Sequence, residues 1–524
     1  MSFITKLTTA QVAALSTSTI AGLSVSDTVA FSTAQIVALT SAQLGAFGTT
    51  QIRAMKTAQI SAIETADLVG LTSAQWAALS SAQVGALTTA QIQNMESDDV
   101  AALAVSSIKG LTTAQIVALA TEDVAALSTE QVRALTSTQL GAFETVDLTA
   151  MSTAQLAALG STQVAGLTTA QMVALESADF AALTTAAIRG LTTAQIAAID
   201  TADLAGFTSS QWGAFTSGQL PGLTTAQVAA LDSADLGSLS SLAIPGLTTA
   251  QIAAIDTAAI AGLTTSQVRA LTSAQLGAFE TVDLTAMTTA QLGALVSSQV
   301  VGFTTAQMVA LESADLGAFA TAAIRGLTTA QIAAIDTVDL AGFTSSQWGA
   351  FTSGQLPGLT TAQVAALDSA DLGSLSSLAI AGLTTAQIAA IDSADITGLT
   401  TGQMAALTSG QVGALTTAQL NALETADLAA ISSTGIRGLT TAQVVSLDSA
   451  DFAVLTTAQV AALTTAQVAA IETVDLAGFT SAQWGALTSA QAANLTTAQV
   501  AALDSADLGA LSTAAIRGLT TAQV

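Results

Sequence analysis

The chain has 524 residues, with ten Lys and Arg against 36 Asp and Glu, and no His, Cys or Tyr. A net charge of −26 argues against nucleic-acid binding, which rests on Lys and Arg neutralising phosphates. The missing residue types remove thiol, imidazole and phenol chemistry, disulfides and the common transition-metal sites.

Residues 1–7 (MSFITKL) form a short lead-in without the basic and apolar regions of a secretory signal, so an export address is expected elsewhere. From Thr8 to Leu519 one eight-residue unit runs without insertion or deletion, giving 64 octads, and residues 520–524 begin another. The stretch TTAQIAAIDTADLAGFTSSQWGAF, Thr192 to Phe215, holds three copies. Slot one is usually Thr, Ser, Asp or Glu; slot two is Ser or Thr except at Val25 and Val105; slot three is usually Ala. Slot four is mostly Gln or Asp, slot five apolar, slots six and seven small, and slot eight Leu, Ile, Phe or Met.

This order reads as a helix start followed closely by a helix stop. A hydroxyl or carboxylate at slot one caps backbone amides, and Gln or Asp three residues later reaches back, as in a capping box. Slot eight of one octad and slot five of the next form a hydrophobic staple. Where slot seven is Gly, as at Gly190, Gly222 and Gly326, a left-handed helix end is expected. The fold class is therefore a repeat solenoid, an all-α superhelix of short capped helices. A β-solenoid is the alternative, since Thr-rich octads also suit stacked ladders. Ala, Gln, Asp and Gly are poor strand formers, and slots five and eight share a face only in a helix. Pro221, Pro245 and Pro357, at slot six, count against a regular helix in their own octads.

A longer period lies above the octad. Trp76, Trp212, Trp348 and Trp484 each stand seventeen octads from the next. Acidic octads, such as those beginning at Glu144, Glu176, Asp200, Asp232, Asp256 and Glu280, recur at intervals of three or four, which gives about 3.4 octads per turn and an acidic stripe along one side. Arg133, Arg189, Arg269, Arg325, Arg437 and Arg517 each lie in the octad after an acidic one, with Arg53 the exception. No run approaches the roughly 20 apolar residues that cross a bilayer. A lone octad cannot fold: ordering costs roughly 1 to 2 kcal/mol per residue, and two large buried side chains return about 1.5 to 3 kcal/mol each. Stability must come from stacking on neighbouring turns.

Candidate sites are sparse. Asp200 with Asp203 and Glu280 with Asp283 pair carboxylates at slots one and four and are the candidates for Ca²⁺, although caps facing water account for them more simply. The Trp residues occupy slot five and read as core, and Ser and Thr have no His or Lys partner that would make a nucleophile.

The words LTTAQVAAL resemble the opening of the repeat in TAL effectors, which implies a short helix and carries no base-reading residue. Across nearly the whole chain the pattern resembles octapeptide-repeat proteins of bacterial cell surfaces, and that resemblance implies an adhesin-like or filament-forming role. The expectation is a non-catalytic extracellular structural protein, the subunit of a bacterial surface filament, sheath or biofilm fibre. Head-to-tail or lateral homo-oligomers are expected, with no nucleic-acid partner and no membrane span. The alternative is an adhesin or binding module, Ca²⁺-dependent or ice-binding. No polar capping repeat is visible at the C-terminus, which suggests a piece of a longer chain or a covered end.

Overall fold

The computed structural model describes residues 2–524 and is helical throughout, with no strand among them. Two compact units, Met1–Leu263 and Thr264–Val524, are built alike. Both repeat one local conformation. Thr192 is extended at φ −81° and ψ 159°, Thr193–Ala198 is α-helical, and Ile199 returns to extended backbone at φ −64° and ψ 131°. Helices are four to six residues long, and some octads tighten to 3₁₀ turns such as Thr201–Gly206. Isolated helices this short do not persist in water, so caps and packing hold them.

The capping box forms as the slot chemistry predicts. The Gln195 amide N–H donates to Thr192 Oγ1 at 3.3 Å, and the Thr192 N–H donates to Gln195 Oε1 at 2.8 Å. The C-terminal reading fails. No residue among those described, Gly190, Gly222 and Gly326 included, has positive φ. An extended pair at slots eight and one, not a left-handed glycine, turns the chain from one helix to the next. At these slot-seven positions glycine is needed for space: a Cβ on Gly190 would lie 2.6 Å from Ser161 Cα, and one on Gly222 would lie 2.6 Å from Thr193 Cα.

Proline has a related local effect. Pro221 lacks the N–H that Gly213, at the same slot, donates to Ser209, and its octad forms the 3₁₀ turn Leu220–Gly222 instead. The lead-in already follows the pattern, because Ile4 is fully buried and Leu7 closes the turn Phe3–Lys6.

Slots five and eight form the core of each unit, and slot four is buried beside them. Slots one to three and six are mostly exposed, so the surface is Thr, Ser and Ala with scattered carboxylates. The Trp side chains are 0 to 1% exposed. Trp212 stacks on Phe215 with centroids 5.2 Å apart and lies 5.3 Å from Phe207. The Trp indole N–H groups make no hydrogen bond of ordinary length, although those of Trp76, Trp212 and Trp348 stand near enough to the Asp99, Asp235 and Asp371 carboxylates to offset slightly the rise that burial causes in their pKa. This is tolerated because removing the rings would forfeit far more buried area than one lost bond costs.

Candidate functional site

The recurring polar feature is the slot-four amide. Gln195 is 2% exposed, and its Nε2 donates to the carbonyls of Val164 and Leu167, both at 2.7 Å. One side chain thus accepts from its own helix start and donates to the backbone of the preceding turn. Gln35, Gln115 and Gln251 repeat this in the first unit; Gln307, Gln363, Gln443 and Gln499 repeat it in the second. The slot-five carbonyl of Val164, which already accepts from the Leu167 N–H, gains a second donor in this way, the slot-eight carbonyl of Leu167 gains the donor that no backbone N–H supplies, and each turn is bonded to the one before it.

Acidic octads use a different bond. An ionised Asp has no donor, so it cannot serve the earlier carbonyls. Asp203 Oδ1 instead accepts from Ser177 Oγ at 2.9 Å, in the acidic octad before its own; Thr121 serves Asp147, Ser313 serves Asp339 and Ser369 serves Asp395 in the same way. These pairs occur where acidic octads are three apart. Burial pushes Asp99, Asp123, Asp235, Asp371 and Asp451 above the ordinary carboxylate range, against the lowering effect of the slot-one N–H groups they accept from. Asp27 moves the other way, held down by the Ser24 and Ser2 hydroxyls.

Three of the four candidate Ca²⁺ residues are engaged in these same roles, Glu280 making no side-chain cap. Asp200 accepts from the Ala202 N–H at 3.2 Å, Asp203 holds Ser177, and Asp283 accepts from the Glu280 N–H at 3.2 Å. No group of three or more His, Cys, Asp or Glu able to hold a metal ion occurs among the described residues. None of the helices there is long and apolar enough to cross a membrane.

The cross-turn bonds of Gln and Asp all span more than three octads and fewer than four. A repeat model matches the chain in seventeen overlapping segments from 60–95 to 500–524. The chain belongs to the ALTTAQ repeat family. Successive ALTTAQ matches begin three or four octads apart, nine steps of three and seven of four, so their mean step agrees with the turn of the superhelix. Every match starts four residues before an acidic octad, so one ALTTAQ repeat corresponds to one turn with one acidic octad. No curated protein matches the chain.

The inter-turn role of Gln in the ALTTAQ array was not read from the sequence, though a signal was present. A capping box is satisfied by Glu as well as by Gln, yet no octad has Glu at slot four. Outside the octads where the shorter Asp stands, that slot is usually Gln, a side chain that can also donate.

Proposed function

We propose that this protein is a non-catalytic structural protein, the subunit of an extracellular bacterial filament, sheath or biofilm fibre. The observation that carries this reading is the slot-four amide: the most frequent buried polar side chain is spent joining one turn to the next throughout both units. Where function depends on a local site, buried polar groups converge on a cavity. Here they are distributed evenly along the chain and point at backbone. The exposed slots present small polar and apolar side chains repeated once per octad, a surface suited to repeated weak contacts rather than to one specific ligand.

Negative-stain electron microscopy of the purified protein tests the reading, together with immunogold labelling of intact bacteria expressing it. Filaments many molecules long and label on the cell surface are expected. Non-associating monomers, or label confined to the cell interior, would remove the proposal.

A further inference from the structure

Eight of the ten Lys and Arg, all but Lys6 and Lys56, line up within their own unit. The octads of Arg53, Lys109, Arg133 and Arg189 begin at Gly48, Ala104, Ser128 and Thr184, which are steps of seven, three and seven octads. In the second unit those of Arg269, Arg325, Arg437 and Arg517 begin at Thr264, Ala320, Ser432 and Ser512, steps of seven, fourteen and ten. Set against a turn whose repeats begin alternately three and four octads apart, every step is close to a whole number of turns. Arg53 therefore joins the same line although no acidic octad precedes it. Contact confirms the alignment locally, since Lys109 and Arg133 line one depression.

These cations are little used within the chain. Among the described residues the ion pair present is Arg133 to Glu130 at 3.0 Å; Arg189 and Arg325 are exposed and take part in none. On a chain of net charge −26, unpaired guanidinium groups collected on one side are a recognition feature.

An apolar group stands beside them. Leu242 is 86% exposed at a slot that is normally Ala, and its octad begins seven octads after that of Arg189, two turns on. Arg189, Phe215 and Leu242 line a single cleft of about 290 Å³. The same residues recur seventeen octads later as Arg325, Phe351 and Leu378, with Leu378 84% exposed.

Exposed apolar side chains in the opposite charge setting stand on acidic octads, Val338 and Val474 among them. In the two ETVDLTAM octads, Val146 and Val282 are 57% and 54% exposed, and they too stand seventeen octads apart. Glu144 and Glu280 occupy N-cap positions next to them without making a side-chain cap, which leaves their carboxylates free.

We propose that the chain pairs laterally with a second copy of itself, the Arg189–Leu242 cleft of one copy, and the surface where the same residues recur as Arg325 and Leu378, receiving the Glu144–Val146 and Glu280–Val282 projections of the other. This deepens the filament reading and rests on it, naming the partner and the contact. Contact at one cleft buries far less than the roughly 1,200 Å² of a stable interface, so strength comes from repeated contacts. The charges set which faces meet.

Sedimentation velocity and electron microscopy test it on the full chain. Wild-type pairs should dissociate as salt rises from about 0.02 M to about 0.5 M. L242D/L378D should raise the concentration for half-association at least about tenfold, and R189E/R325E should do the same. All four positions are exposed, so far-ultraviolet circular dichroism should be unchanged. Mixing R189E/R325E with E144R/E280R should restore association. Variants that pair as the wild type does, or a mixture that stays monomeric, would overturn the inference. Filaments of single-chain width would overturn it and leave the filament reading standing. Pairs that never lengthen would do the reverse.

Discussion

Replacing Gln195 by Glu changes one atom type and asks whether the slot-four donor holds the turns together. The acceptor half of the residue survives, so the Thr192 N–H keeps its partner at 2.8 Å. The donor half does not, and the bonds to Val164 and Leu167 vanish together. Two lost bonds cost about 1 kcal/mol each. A carboxylate 2% exposed and facing two carbonyls adds the larger cost of an unpaired buried charge, for a total of about 3 to 5 kcal/mol. The array can open locally without unfolding elsewhere, so the readout is hydrogen–deuterium exchange over residues 161–199. Protection there should fall about a hundredfold or more at neutral pH, with distant segments unchanged. Gln195→Ala should cost less, about 2 to 4 kcal/mol, because it introduces no charge.

Acidification then separates the two variants. Burial raises the pKa of the introduced Glu in the folded state above its unfolded value of about 4.3. The penalty is therefore absent below that value and grows as pH rises through the folded pKa. Near pH 4 the Glu variant should recover protection because a protonated carboxyl donates again, while the Ala variant should not. Equal protection in Gln195→Glu and wild type at pH 7 would refute the reasoning.

Glycine substitutions give a second test. Gly190→Ala should destabilise by about 1 to 3 kcal/mol through overpacking against Ser161, whereas helical Gly509→Ala, with nothing within 4 Å, should stabilise by about 0.5 to 1 kcal/mol; melts of the two variants check the opposite signs. The raised carboxylates give a third. Asp99, Asp123, Asp235, Asp371 and Asp451 contribute stability that is present below about pH 3.9 and lost as pH rises through their folded values. The melting temperature near pH 4 should thus exceed that at pH 7, and a lower one would contradict the assignment. The four buried Trp side chains should emit at blue-shifted wavelength and resist aqueous quenchers, and Trp212→Ala should cost about 3 to 5 kcal/mol, measured by exchange across the same turn. Calorimetry should detect no saturable Ca²⁺ uptake, because Asp203 and Asp283 are already committed to hydrogen bonds within the chain.

Much of the local fold was legible because it depends on side chains acting on their own octad. Thr192 and Gln195 state their capping box in the sequence, and the spacing of acidic octads carries the turn length through to the structure. What escaped depends on the turn before. Gly190 reads locally as a helix terminator, and only Ser161, three octads earlier, shows that it is small so that backbones can touch. The second bond of Gln195 escaped for the same reason, since nothing in its own octad marks Val164 as a partner. The proline octads fell between these cases: loss of an N–H was foreseeable, while the 3₁₀ turn is not a proline signature, since Ile108–Gly110 and Ile396–Gly398 form it with Lys109 and Thr397 at the same slot.

The central claim is that short helical octads meet, side chain to side chain, one superhelical turn apart. The chain has no cysteine, so a single introduced pair reports that register cleanly. Ser177 and Asp203, whose side chains touch at 2.9 Å, supply it. Under mild oxidation S177C/D203C should close an intramolecular disulfide while retaining a helical circular dichroism spectrum. Failure of that pair to close, or closure accompanied by a strand-type spectrum, would contradict the central claim.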